Sequence, residues 1–202
     1  MKTSRQFWRA VILGSAVLLA ITQTTTAQSP DKVLKQAIKA MSGGKGEKAL
    51  RAVRSWQVKG TVTRLNDGAT GSYQAMAQAP NLYTSSFDIS GFESALGFNG
   101  KSSWQRDSRE GLRTLTGQAS RDFAAEAAYR NTRWLDYKKE KARLTLNGQT
   151  DINGKPANTI LFTTAKGVKI KMHFDAASGL LVREEVPAGD AMRVFDYSDH
   201  RE

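Results

Sequence analysis

Apolar and polar positions along the chain change their period several times, and each change marks an element. From Pro30 onward, Val33, Leu34, Ala37, Ile38 and Met41 recur at 3.6-residue spacing, which predicts a helix with one apolar stripe and Asp31 and Lys32 in its first turn. Ser42-Gly43-Gly44 stops it, because glycine accepts the left-handed conformation that helix ends often need. A shorter helical piece over 47–53 puts Ala49, Leu50 and Val53 on one side. At Trp56 the period falls to 2. Trp56, Val58, Gly60 and Val62 alternate with Gln57, Lys59, Thr61 and Thr63, the pattern of a strand with one buried face. Asn66-Asp67-Gly68 is a hairpin signal, and the partner strand over 69–79 turns Tyr73, Ala75 and Ala77 inward. Ala79-Pro80-Asn81 breaks that ladder. Tyr83, Phe87 and Ile89 share a face of the next strand. Another runs over 92–98 to the Asn99-Gly100 turn, and Ser102, Trp104 and Arg106 lie together on the strand beyond it.

A helical pattern over 120–130 interrupts the strands, with Phe123, Ala127 and Ala128 inward; Trp134, Leu135, Tyr137 and a charged stretch over 138–141 follow. Strands resume at Arg143 and are separated by Asn153-Gly154, Ala165-Lys166-Gly167, residues 176–179 and Pro187-Ala188-Gly189-Asp190. The clearest alternation sets Val168, Ile170, Met172 and Phe174 against Lys169, Lys171, His173 and Asp175. Closely spaced strands joined by short polar turns predict an antiparallel sheet: about nine strands and about three helical segments, a mainly β chain of the α+β class. Three modest helices are few for so wide a sheet. It is therefore expected to curl on itself, with a concave face not fully packed by its own side chains.

The first 27 residues follow a different logic. Lys2, Arg5 and Arg9 precede a 12-residue apolar run over 10–21 and the polar, small-residue stretch TQTTTAQ, the order of a secretory signal peptide cleaved after Ala27. The run is short of the roughly 20 residues that span a bilayer. This predicts export, and a mature chain of residues 28–202 folding as one domain. The whole chain of 202 residues carries a net charge of +11; the mature part keeps 27 Lys and Arg against 19 acids, or +8.

Candidate chemistry is sparse. Without cysteine, thiolate metal sites, iron–sulfur clusters and cysteine nucleophiles fall away. Of the two histidines, His173 takes the polar side of its strand and His200 sits near the end, so both read as surface residues rather than metal ligands. Ser42-Gly43-Gly44-Lys45-Gly46 lacks phosphate-loop spacing and follows a helix, and GxSxG is absent. Glu184 and Glu185 point to opposite faces of one strand and cannot act together on one atom; the outward one reads as a solubility charge. These features predict no enzyme, no metal and no cofactor. Arg133, Lys138, Lys139, Lys141 and Arg143 cluster with Trp134 and Tyr137, a conceivable stacking surface for nucleic acid. Asp136 and Glu140 interrupt it, and an exported chain meets little nucleic acid. A solvated basic loop, with weak attraction to an anionic membrane surface, is the expectation.

The order of the pieces carries a resemblance. A helix ending in SGG, the junction EKALRAVRSWQVKG, the strand end QAPNLY, then GFNGKSSW, FDAASGLLVRE and VFDYSDHRE resemble the outer-membrane lipoprotein-sorting family, the LolA/LolB-like proteins of Gram-negative bacteria, over residues 30–202. The resemblance implies an incomplete antiparallel barrel whose concave side is covered by helices, and a periplasmic monomer that carries acyl chains of lipoproteins or lipids in an apolar cavity. Relatives continue past VFDYSDHRE with further strands, so it also implies a more open barrel or a fragment here. Walls for such a cavity would come from Trp56, Val58, Tyr73, Tyr83, Phe87, Phe98, Trp104, Met172 and Phe174. The same stripe is what a filled core looks like, and a cell-envelope interaction module without lipid cargo is the alternative.

Overall fold

The computed structural model describes residues 29–200, so the basic, apolar leader and its cleavage point lie outside the described residues. Helix α1 spans Pro30–Met41. The Ser29 hydroxyl accepts the Lys32 N–H at 3.2 Å, and proline in the first turn sacrifices no helical hydrogen bond. Val33, Leu34 and Ala37 form its buried stripe. Helix α2 spans Glu47–Ala52.

Six strands follow as a meander, each paired antiparallel with the next: β1 (Ser55–Thr63), β2 (Thr70–Gln78), β3 (Leu82–Ile89), β4 (Phe92–Asn99), β5 (Ser103–Asp107) and β6 (Gly111–Thr114). Helix α3 (Gly117–Arg130) and a 3-10 turn, Arg133–Asp136, then lead to a second meander. This one comprises β7 (Arg143–Ile152), β8 (Lys155–Thr163), β9 (Lys169–Asp175), β10 (Leu181–Ala188) and β11 (Ala191–Asp196). The expected class is therefore present: mostly antiparallel strand with three helices, not closed into a barrel. Two details differ from the sequence reading. Eleven strands are described rather than about nine, partly because β6 has four residues and no alternation, with Leu112 facing out at 71% exposure. The sheet is also divided in two, because α3 occupies the connection between β6 and β7.

Residues directly opposite across an antiparallel pair share a face, so the register sorts each sheet into two sides. On the five-stranded sheet the inner side holds Leu144, Leu146, Ile160, Phe162, Ile170, Met172 and Val186. Val33, Leu34 and Ala37 of α1 close over it together with Tyr129, Trp134 and Leu135. On the six-stranded sheet a smaller core joins Ala75, Ala77 and Tyr83 to Phe123 and Ala127 of α3.

Candidate functional site: the inner face of the six-stranded sheet

Four rows of side chains cross this inner face. Trp56, Ala77, Tyr83, Phe98 and Ser103 form the first, and Val58, Ala75, Ser85, Leu96 and Gln105 the second. Gly60, Tyr73, Phe87 and Ser94 form the third, and Ile89 and Phe92 belong to the fourth. Helix α3 lies over the first row. The Trp56 indole N–H donates to the Arg130 carbonyl at 2.9 Å, the rings of Tyr83 and Phe123 are 5.5 Å apart, and Ser103 Oγ donates to the Ser120 carbonyl at 3.4 Å. Beyond that row the cover is uneven: Ala75, Ser85, Ser94 and Ile89 are buried, while other inward side chains are not. Val58 is 41% exposed, and Tyr73, Phe87, Phe92 and Leu96 stay partly exposed although all face inward.

Of the nine predicted wall residues, six meet on this face: Trp56, Val58, Tyr73, Tyr83, Phe87 and Phe98. Tyr83, at 1% exposure, is already packed under α3. Met172 and Phe174, each at 1%, belong to the core of the other sheet. Trp104 is on the opposite side of the six-stranded sheet. It pairs with Gly97, and its indole lies so close over that glycine that an added Cβ would come within 2.1 Å of it. The period-2 reading placed Trp104 in a stripe of its own strand; the register between β4 and β5 decides which way that stripe points.

A buried polar spine runs beside this face, and the sequence reading missed it. Asp122, Glu126 and Arg130 repeat every four residues along α3, next to Phe123 and Ala127, so they share the buried side of the helix. Glu126 accepts hydrogen bonds from Arg193 of β11 and from the Tyr83 hydroxyl at 3.2 Å. Arg130 Nη1 donates to Glu184 at 2.5 Å, and Glu184 also accepts from the hydroxyls of Tyr129 and of Tyr197, the latter at 2.7 Å. The Arg130 guanidinium stacks 4.5 Å above the Phe195 ring, which meets Tyr73 edge-on at 5.8 Å. Burial alone would make the Arg130 guanidinium easier to deprotonate, yet attraction to Glu184, Tyr197 and Glu126 outweighs it and holds the charge. Burial also pushes Tyr83, Tyr129 and Tyr197 up, so their hydroxyls stay protonated donors. The helical i, i+4, i+8 spacing was the signal available in the sequence.

The outer side of the five-stranded sheet corrects two expectations. His173 is 3% exposed rather than a surface residue, because its central strand sets it between Thr159 and Glu185. Glu185 is no isolated solubility charge: it accepts from Lys171 at 2.6 Å and lies 3.1 Å from His173 Nε2. Thr159 Oγ1, His173 and Glu185 thus form a hydroxyl–imidazole–carboxylate line, but Thr159 is 1% exposed and its hydroxyl is shared with Thr150 at 3.1 Å. A substrate atom cannot reach that hydroxyl, so the line ties strands together rather than making a nucleophile. Among the described residues no group of three or more His, Cys, Asp or Glu is placed to hold a metal ion.

The basic segment does not present a stacking surface. Trp134 is buried, Arg133 pairs with Glu140, and the Tyr137 hydroxyl donates to Asp31 at 2.6 Å. Lys139, Lys141 and Arg143 remain exposed. Surface pockets lie elsewhere. A trough of about 560 Å³ at the six-stranded sheet is lined by Ser72, Gln74, Ser86 and Arg106 of its outer side together with Phe87 and Ser94, and one of about 370 Å³ lies between Lys39, Gly43 and Ser178.

No protein-family model and no curated protein matches the chain. Among solved structures, the chain is similar to a LolA superfamily protein from Nitrosomonas europaea, with 14% identity and TM-score 0.45, covering 87% of this chain and 80% of that one. It is also similar to a putative outer membrane lipoprotein-sorting protein domain from Vibrio parahaemolyticus, with 11% identity and TM-score 0.45, covering 86% and 80%. A DUF1329 family protein from Desulfovibrio piger matches with 14% identity and TM-score 0.40, covering 81% and 75%. The first two carry the family name that the motif order resembles; at this identity and TM-score they assign no activity to this chain.

Proposed function

We propose that the mature chain is a periplasmic, non-catalytic binder or carrier of hydrophobic ligands, taking up acyl chains of lipoproteins or lipids reversibly on the inner face of the six-stranded sheet. The observation that carries this is the uneven cover. Val58, Tyr73, Phe87, Leu96 and Phe92 face inward as a core would and yet keep exposed surface, although Ala75, Ser85, Ser94 and Ile89 on the same face are buried. Burying about ten methylenes against such a surface contributes about 8 kcal/mol before the cost of immobilising the chain, enough for reversible holding without a nucleotide or metal.

A second reading, a cell-envelope interaction module with a filled interior, is favoured by Met172 and Phe174, which are packed completely under α1 and its neighbours. One experiment separates the two. The protein is purified without detergent and extracted with organic solvent, and the extract is analysed by mass spectrometry; the stripped protein is then titrated with the neutral apolar dye N-phenyl-1-naphthylamine. Copurifying lipid and saturable dye fluorescence support the carrier. A clean extract with no dye uptake supports the module.

A further inference from the structure

The buried arginines of the polar spine are only partly used. Arg130, with a side chain 9% exposed, donates through Nη1 to Glu184 and to the Tyr197 hydroxyl at 3.3 Å. Its Nε and Nη2 have no hydrogen-bond acceptor among the described residues; Glu126 Oε1, 3.6 Å from Nε, is an ion-pair neighbour beyond hydrogen-bond reach. Arg193 repeats the pattern, with Nη2 on Glu126 and a buried Nε that has no acceptor. Leaving a buried charged donor unmatched is costly, so three such atoms in one cluster mark a place where an acceptor belongs. The cluster adjoins the apolar face, since Arg130 stacks on Phe195 and Phe195 meets Tyr73 of the third row.

Charge decides which acceptor. Glu126 and Glu184 already balance Arg130 and Arg193. A further carboxylate would leave one negative charge unmatched in a buried setting, whereas a carbonyl oxygen satisfies the donors and adds no charge. We propose that Arg130 and Arg193 form a carbonyl-binding site beside the apolar face, selecting acyl chains presented as esters or amides over free carboxylates. This rests on the reading of that face as the ligand surface.

The test is displacement of N-phenyl-1-naphthylamine from the full mature chain at pH 8.5. The competitors share one chain length: methyl dodecanoate, N-methyldodecanamide, the ether of the same length lacking the carbonyl, and dodecanoate. The ester or the amide is expected to displace the dye at about one-tenth of the ether concentration, the worth of a hydrogen bond to a charged donor, with dodecanoate weaker than both. The better of the two identifies an O-acyl lipid or an N-acyl protein as the source, and either supports the site. In the charge-balanced double variant E126Q/R193Q the carbonyl advantage is expected to shrink while ether binding holds. Equal displacement by ester, amide and ether in the unmutated protein overturns the proposal, and so does preference for dodecanoate. If the dye itself does not bind, the ligand-surface reading fails and the carbonyl site falls with it.

Discussion

The two sheets are built from the same alternating pattern and end in different states. On the five-stranded sheet α1 and the 3-10 turn close over the inner face, and Ile160, Ile170, Met172, Phe174 and Val186 are each buried to 1% exposure or less. On the six-stranded sheet α3, which also carries the polar spine, packs against Ala75, Ala77 and Tyr83, and Val58 on the edge strand is left 41% exposed. The difference teaches that alternation identifies which side of a strand turns inward, while the elements packed over it decide whether that side is finished by the protein itself. On the proposed function, the unfinished sheet is where a ligand has something to gain.

The largest expected effect lies where the two halves are joined. Arg130→Met leaves Glu184 and Glu126 short of a buried partner and is expected to lower stability by about 3–5 kcal/mol, read from urea denaturation; a loss below about 1 kcal/mol would show that the spine does not hold the sheets together. Packing comes next. Phe174→Ala on the finished sheet should cost about 3–5 kcal/mol and leave dye binding unchanged. Val58→Ala on the unfinished one should cost less than about 1 kcal/mol and weaken dye binding. Similar costs at the two positions would erase the contrast between the halves.

The smallest effect is a pH dependence between about pH 7 and pH 5 that starts from His173 on the finished sheet. Burial holds His173 below its ordinary 6.5, despite the opposing pull of Glu185, so the unfolded chain takes up the proton more readily than the folded one. The stabilisation is complete above about pH 6.5 and is lost as pH falls through the lower folded value. Glu185, for which burial is outweighed by Lys171 and His173, is held low and adds the same sign at more acid pH. Urea midpoints measured from about pH 7 to pH 5 should fall, and His173→Gln should flatten that slope; an unchanged slope would mean that His173 does not titrate on folding.

Much of the fold was legible because turns and periods are local. The α1 boundaries at Pro30 and the Ser42-Gly43-Gly44 stop, the Asn-Gly turns and the inward Val168, Ile170, Met172 and Phe174 all follow from neighbours in the chain. What escaped depends on register between strands. Trp104 and Phe98 alternate equally well within their strands, and only the Gly97–Trp104 and Phe98–Ser103 pairings set them on opposite sides. His173 lies on an outward position, but outward is not exposed when the centre of a sheet supplies Thr159 and Glu185 on either side. The four-residue spacing of Asp122, Glu126 and Arg130 is visible in the chain, but their partners Glu184 and Arg193 lie up to 67 residues away, beyond the reach of any periodicity.

The most direct measurement compares dye titrations of the unmutated chain over residues 28–202 and of its Val58→Asp variant, with urea denaturation of both. A carboxylate at the exposed Val58 position is expected to abolish saturable binding while leaving the unfolding midpoint nearly unchanged. Binding that survives Val58→Asp undiminished, in a protein that remains folded, would contradict a ligand surface on the six-stranded sheet.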